Sequence, residues 1–99
     1  PITGTGNLEF LGQAAHWTHF KTYEFYATNT YSGNTKLVSY AASTTYNAHQ
    51  DQVFPNQSLN LEVGNWNTNC WLVYDLNGHN QQVGYTEMNG GGTKTLKST

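Results

Sequence analysis

The sequence contains no arginine, and its four lysines, Lys21, Lys36, Lys94 and Lys97, are scattered along 99 residues. A protein that binds nucleic acid needs a basic face to neutralise phosphates, so this scarcity argues against a nucleic-acid partner. Attraction to anionic lipid headgroups is disfavoured for the same reason. No apolar run approaches the roughly 18 residues that a membrane-spanning helix requires.

Cysteine is almost absent as well, since Cys70 is the only one. An internal disulfide is impossible, and one chain cannot form a thiolate metal cluster. Cys70 opens the most apolar run of the sequence, residues 70–76, where a free cysteine acts as a small buried hydrophobe. An intermolecular disulfide is the alternative interpretation.

Uncharged polar residues make up for the missing charge. The chain has 12 Asn and 14 Thr, charged residues reach only 10%, the formal net charge is −2, and aromatic residues reach 14%. Plentiful aromatics and a small net charge indicate a folded chain rather than a disordered one. The length suits one domain, residues 1–99. Extracellular β-proteins often have this composition, which favours a secreted or extracellular location.

Alternating and short apolar segments predict β-strands. Ser58–Val63 alternates, with Leu59, Leu61 and Val63 on one face, and residues 70–76 form a short apolar run bounded by turn residues. Residues 13–28 are ambiguous, because their aromatic and Thr content favours a strand while the spacing of the aromatics also fits a short helix.

Turn signals separate these segments, and Asn77-Gly78 is the strongest, because both residues tolerate the positive φ of a hairpin turn. Seven or eight short strands at regular spacing predict an all-β fold. We therefore expect a single-domain antiparallel β-sandwich or small barrel.

The loop after Ser58–Val63 is the best candidate for ligand binding. Trp66 stands in a polar segment beside Asn65, Asn67 and Asn69. An indole face can stack on a sugar ring, and amides can bond its hydroxyls. Trp17 could add a second aromatic face. The alternative is that Trp66 folds back over the end of the core.

Catalytic and metal-binding patterns are weak. His16 and His19 would share a face, as metal ligation requires, only on a helix. His49 and Asp51 could form a general-base pair, but no nucleophile-elbow motif accompanies them. The six carboxylates fall on separate segments, so no acid/base pair is visible. We expect no metal and no cofactor, and a hydrolase remains only a weak possibility.

The run Phe-Pro-Asn-Gln-Ser-Leu-Asn-Leu at residues 54–61, followed by a Gly/Asn loop and an apolar strand, is similar to a pattern in small microbial β-sandwiches. Aegerolysin-like membrane-binding proteins and fungal or bacterial lectins resemble this chain over roughly its middle third. The resemblance implies a small β-sandwich that acts on a sugar or a membrane, and it assigns no functional residue.

Together these observations predict a non-enzymatic, lectin-like, carbohydrate-binding protein that is secreted or surface-acting. Its partner would be a glycan, and a homo-oligomer would raise the avidity of weak single sites. The alternative is a membrane-interacting or toxin-like β-sandwich whose aromatic residues insert at the lipid interface.

Overall fold

A computed structural model describes residues 2–13, 20–40, 42–64 and 70–99. These ranges contain eight strands and no helix, which confirms the all-β class. It follows that no helix in them is long or apolar enough to span a bilayer. The strands are β1 (Leu8–Gln13), β2 (Phe20–Phe25), β3 (Thr35–Tyr40), β4 (Ser43–Ala48), β5 (Ser58–Val63), β6 (Trp71–Asp75), β7 (Tyr85–Gly90) and β8 (Thr93–Lys97).

The strands alternate between two parallel sheets, so the chain winds as a β-solenoid of about three turns. One sheet has the order β1-β3-β5-β7 and the other β2-β4-β6-β8, and every neighbouring pair is parallel. The expectation of an antiparallel β-sandwich or small barrel is therefore wrong, and so is the description of residues 1–99 as a β-sandwich domain. The toxin-like β-sandwich loses its architectural basis with it.

The turn at Asn77-Gly78 explains why the sequence predicted antiparallel pairing. Both residues have positive φ, 48° and 82°, so the turn itself exists. However, β6 before it and β7 after it belong to different sheets, so the turn closes no hairpin. Two parallel strands of one sheet need a crossover connection, and here each crossover is a strand of the opposite sheet.

Parallel pairing places equivalent inward side chains above one another in columns. In the first sheet one column consists of Phe10, Leu37, Leu61 and Met88. Leu37 and Leu61, in the two central coils, are fully buried, and so are the neighbouring Leu59 and Val63 of β5. The alternation expected for Ser58–Val63 is thus confirmed, because only its odd-numbered positions face the interior.

The second sheet fills the interior with aromatic rings. Tyr23, Tyr46, Tyr74 and Leu96 form a column in which Tyr46 and Tyr74 are fully buried. The Tyr46 hydroxyl donates to the main-chain oxygens of Phe10 and Val38, each 2.9 Å away, and the Tyr74 hydroxyl donates to a side-chain amide oxygen. Burial raises the pKa of both hydroxyls, so they remain protonated donors.

Strand β6 lies within the apolar run of residues 70–76 and alternates between buried and partly buried side chains. Leu72 and Tyr74 point inward and are fully buried, while Trp71 and Val73 are only partly covered. Cys70, just before the strand, is buried with 1% of its surface exposed. Its thiol is therefore out of reach of a second chain, which leaves the interpretation as a small hydrophobe.

Gly90 is a position in the first sheet where the backbone requires glycine. Gly90 ends β7 with a φ of 89°, and a Cβ added there would lie 1.9 Å from the main-chain oxygen of Val63 in the neighbouring strand. That separation is well inside van der Waals contact. Gly90 therefore allows β7 to approach β5 and to turn toward β8 within two residues.

Thr99 is held in place by Asp75 of strand β6. The Asp75 carboxylate accepts hydrogen bonds from the main-chain N–H groups of Asn77 at 2.9 Å and Thr99 at 3.0 Å, and from the Thr99 hydroxyl at 2.5 Å. Burial alone would raise the pKa of Asp75, but the hydrogen bonds from Thr99 and Asn77 outweigh it and hold the pKa below its ordinary value.

Replacing a side chain in the centre of an inward column should destabilise the whole solenoid. Leu61→Ala leaves a cavity between two coils, and we expect it to lower the free energy of unfolding by about 2–5 kcal/mol. Leu11→Ala removes an exposed leucine of β1 and should cost less than about 1 kcal/mol. Urea denaturation followed by circular dichroism measures both, and equal losses would contradict the assigned core.

The hydrogen bonds that the Asp75 carboxylate accepts from Asn77 and Thr99 are called the Asp75 clamp below. This clamp predicts a specific loss of stability in acid. A carboxyl group with a lowered folded-state pKa stabilises the fold fully above its ordinary pKa, and this contribution disappears as the pH falls through the folded value. The wild-type chain should therefore lose stability below about pH 4. Asp75→Asn should be less stable at neutral pH and change less from about pH 5 to pH 2.

Thr99→Val removes one hydrogen bond of the clamp and should give an acid profile between the wild type and Asp75→Asn. Thermal unfolding at several pH values measures the series. An Asp75→Asn profile parallel to that of the wild type would show that the clamp carries no proton linkage.

Candidate functional site

A polar groove crosses the outer face of the first sheet where its strands begin. Two sets of outward residues form its floor. One set stands at, or one position before, the starts of the four strands, and the other lies two residues further on, on the same face. The first set is Asn7, Asn34, Ser58 and Tyr85, and the second is Glu9, Lys36, Asn60 and Glu87.

Side-chain amides fix the first set of the groove across three strands. The Asn34 main-chain N–H donates to the Asn7 side-chain oxygen at 2.8 Å, and the Ser58 main-chain N–H donates to the Asn34 side-chain oxygen at 3.2 Å. Each amide thus bonds the backbone of the next coil. A floor built this way is aligned before any ligand arrives.

The second set carries the charges of the groove. Lys36 lies between Glu9 and Asn60 in the register, and its ammonium is 3.4 Å from the Glu62 carboxylate. Two glutamates line the groove and one lysine stands between them, so an anionic ligand would meet repulsion. The charge balance therefore argues against an anionic ligand.

Tyr85 supplies the aromatic surface of the groove. It begins β7, directly beside Ser58 in the register, and 58% of its surface is exposed. Beyond it, the Asn89 amide donates to the Asn60 side-chain oxygen at 3.0 Å and to Glu87 at 3.4 Å. The groove has a volume of about 390 Å³ and combines one flat ring with several hydrogen-bonding side chains.

The ligand-binding residues expected from the sequence lie outside the described residues. These are Trp17, Asn65, Trp66, Asn67 and Asn69, and the same holds for the His16–His19 pair. Their role therefore stays a prediction. Gly64, the last described residue before Asn65, donates its main-chain N–H to the main-chain oxygen of Ser39 in β3.

His49 and Asp51 have separate partners. His49 bonds the Glu24 carboxylate at 2.9 Å, and Asp51 bonds His79 at 3.3 Å. The hydrogen bond from the Asn80 main-chain N–H is the largest cause that holds the pKa of Asp51 below its ordinary value, and the contact with His79 lowers that pKa further. Neither hydrogen bond joins His49 to Asp51, so the general-base pair expected from the sequence does not form, and Asp51 instead bonds the imidazole of His79.

A metal centre has no support in residues 2–13, 20–40, 42–64 and 70–99. No cluster of three or more His, Cys, Asp or Glu side chains that could hold an ion occurs there. The two carboxylates of the groove, Glu9 and Glu87, stand on the first and last strands of the sheet, with β3 and β5 between them. Neighbouring strands are about 4.8 Å apart, which separates the main chains that carry the two glutamates by roughly 14 Å.

Comparison with known proteins gives no relative from which to transfer a function. The chain matches no family model, no curated protein and no solved structure. Any function assigned to the chain therefore depends on the geometry of the groove.

The sequence does not identify the groove residues as one site, because they are far apart along the chain. Asn7, Asn34, Ser58 and Tyr85 are separated by 24 to 27 residues, a spacing that has meaning only once the coils are known. The one available signal was shared position, since each stands at, or just before, the first residue of a strand. An antiparallel arrangement would have scattered them over two edges.

Proposed function

We propose that the protein binds an uncharged glycan in the groove on the first sheet, without reacting with it. The observation that carries this proposal is the exposed Tyr85 ring beside a pre-aligned floor of amide and carboxylate side chains. Sugars present C–H faces that stack on aromatic rings and hydroxyls that both donate and accept hydrogen bonds. The secreted or surface-acting role expected from the composition accords with such a partner.

The shape of the groove supports an extended ligand that runs across the strands. Its floor spans four strands, from β1 to β7, a length of about 14 Å at the usual strand spacing. Tyr85 lies at the β7 end and Asn7 at the β1 end. An oligosaccharide can stack on the ring at one end and bond the side chains along the rest.

The separation of the groove carboxylates supports binding rather than hydrolysis. Glycosidases hold their two carboxyl groups about 5 to 9.5 Å apart. Glu9 and Glu87 extend from main-chain positions that are roughly 14 Å apart, with two strands between them. They suit hydrogen bonding to hydroxyls at the two ends of a ligand.

A glycan array followed by titration calorimetry tests the proposal. Tyr85→Ala removes the stacking surface and should weaken binding of the glycan found on the array about tenfold, which corresponds to about 1.4 kcal/mol. Tyr26→Ala is the matched control, because Tyr26 is also exposed, at 71%, but stacks on His49 outside the groove. It should leave the affinity unchanged.

Two further measurements distinguish the groove from the Trp66 segment, and a glycan from a membrane, as the site and the partner. If Trp66→Ala abolishes binding while Tyr85→Ala does not change it, the site lies in the loop that the sequence indicates and the groove proposal is wrong. An array without any binding would contradict a glycan partner altogether. Co-sedimentation with neutral, anionic and sterol-containing liposomes would then test the membrane alternative.

A further inference from the structure

The floor of the groove consists of two parallel rows that run across the first sheet. The first row is the set of side chains at the strand starts, and the second row is the set two residues further along each strand. Neighbouring members of one row are about 4.8 Å apart, and the two rows are about 6.6 Å apart along the strands. A ligand that lies between the rows therefore meets an equivalent pair of positions at every coil.

Contacts on its far side hold the second row away from the first. The Lys36 ammonium lies 3.4 Å from the Glu62 carboxylate. The Asn89 amide donates to the Asn60 side-chain oxygen at 3.0 Å and to the Glu87 carboxylate at 3.4 Å. Glu62 and Asn89 stand two residues beyond the second row on the same face of the sheet. These contacts keep a channel between the two rows open.

The two rows offer hydrogen-bonding groups of both kinds. In the first row the Asn34 side-chain oxygen accepts from the Ser58 main-chain N–H, so the amide N–H groups of Asn34 are left to donate to a ligand. In the second row the Glu9 and Glu87 carboxylates act as acceptors. A ligand with hydroxyls along both of its edges can bond both rows at once, because a hydroxyl donates and accepts.

We infer that the glycan of the groove is a linear β-1,4-linked chain in its extended form, with one sugar at each coil. This inference rests on the proposed function. Successive sugars of such a chain advance by close to the spacing of neighbouring strands, and the flat ribbon carries equatorial hydroxyls along its two edges. Each sugar thus meets one member of each row, and the sugar at β7 stacks on the exposed Tyr85 ring.

Glycans of other linkage do not keep this register. An α-1,4 linkage between the same glucose units bends the chain into a helix, so successive sugars turn away from the rows. Only a short piece of a helical chain can therefore contact the floor. The match between strand spacing and sugar spacing defines the linkage of the ligand rather than the identity of its sugar.

Oligosaccharides of increasing length test the inference on the full chain. The probes are β-1,4-linked di-, tri- and tetrasaccharides of glucose, xylose, mannose and N-acetylglucosamine, and the matched control is α-1,4-linked glucose of the same lengths. In at least one β-1,4 series, titration calorimetry should show a dissociation constant that falls about three- to tenfold with each added sugar, because each sugar adds one or two hydrogen bonds. The α-1,4 series should gain little with length.

Glu9→Ala tests the register, because Glu9 stands at the β1 end of the groove and Tyr85 at the β7 end. It should reduce the affinity for the tetrasaccharide to that for the trisaccharide and leave the affinity for the disaccharide, which is held at Tyr85, unchanged. Glu24→Ala is the matched control, because it removes the same charge from an exposed position of β2 in the other sheet. It should change none of these affinities. Circular dichroism checks that both variants keep their strands.

Three results would overturn the inference: equal affinity for all lengths, an α-1,4 series that tightens as steeply, or a loss of disaccharide affinity in Glu9→Ala. If no β-1,4-linked oligosaccharide binds while another glycan binds and depends on Tyr85, the linkage is wrong and the proposed function stands. If no glycan binds, both are wrong.

Discussion

Parallel hydrogen-bond ladders between successive coils are the constraint on which the rest of this molecule depends. They hold each side chain directly beside the residue at the same position in the next coil, so interior positions become columns. Leu37 and Leu61 are buried because a coil lies on each side of them, whereas Met88 in the same column is half exposed because it is last. Position along the solenoid, more than residue type, decides burial here.

The same rule builds the groove on the outer face. Residues that begin successive strands of one sheet are brought side by side, and the amides of Asn7 and Asn34 each bond the backbone of the following coil. Polar side chains that would be separate on an irregular surface thereby form a continuous floor. The exposed ring of Tyr85 completes it at the β7 end. This is the surface on which we propose that a glycan binds.

The sequence by itself determined the local structure. The strand at Ser58–Val63, its inward odd-numbered positions and the buried Cys70 follow from alternation and apolar runs. Pairing direction did not follow, because a period of two is the same in parallel and antiparallel strands. The coil offsets also vary, at 27, 24 and 27 residues in one sheet and 23, 28 and 22 in the other, so no repeat is visible in the sequence. Only the tertiary structure, by choosing which strands pair, brought the groove residues together.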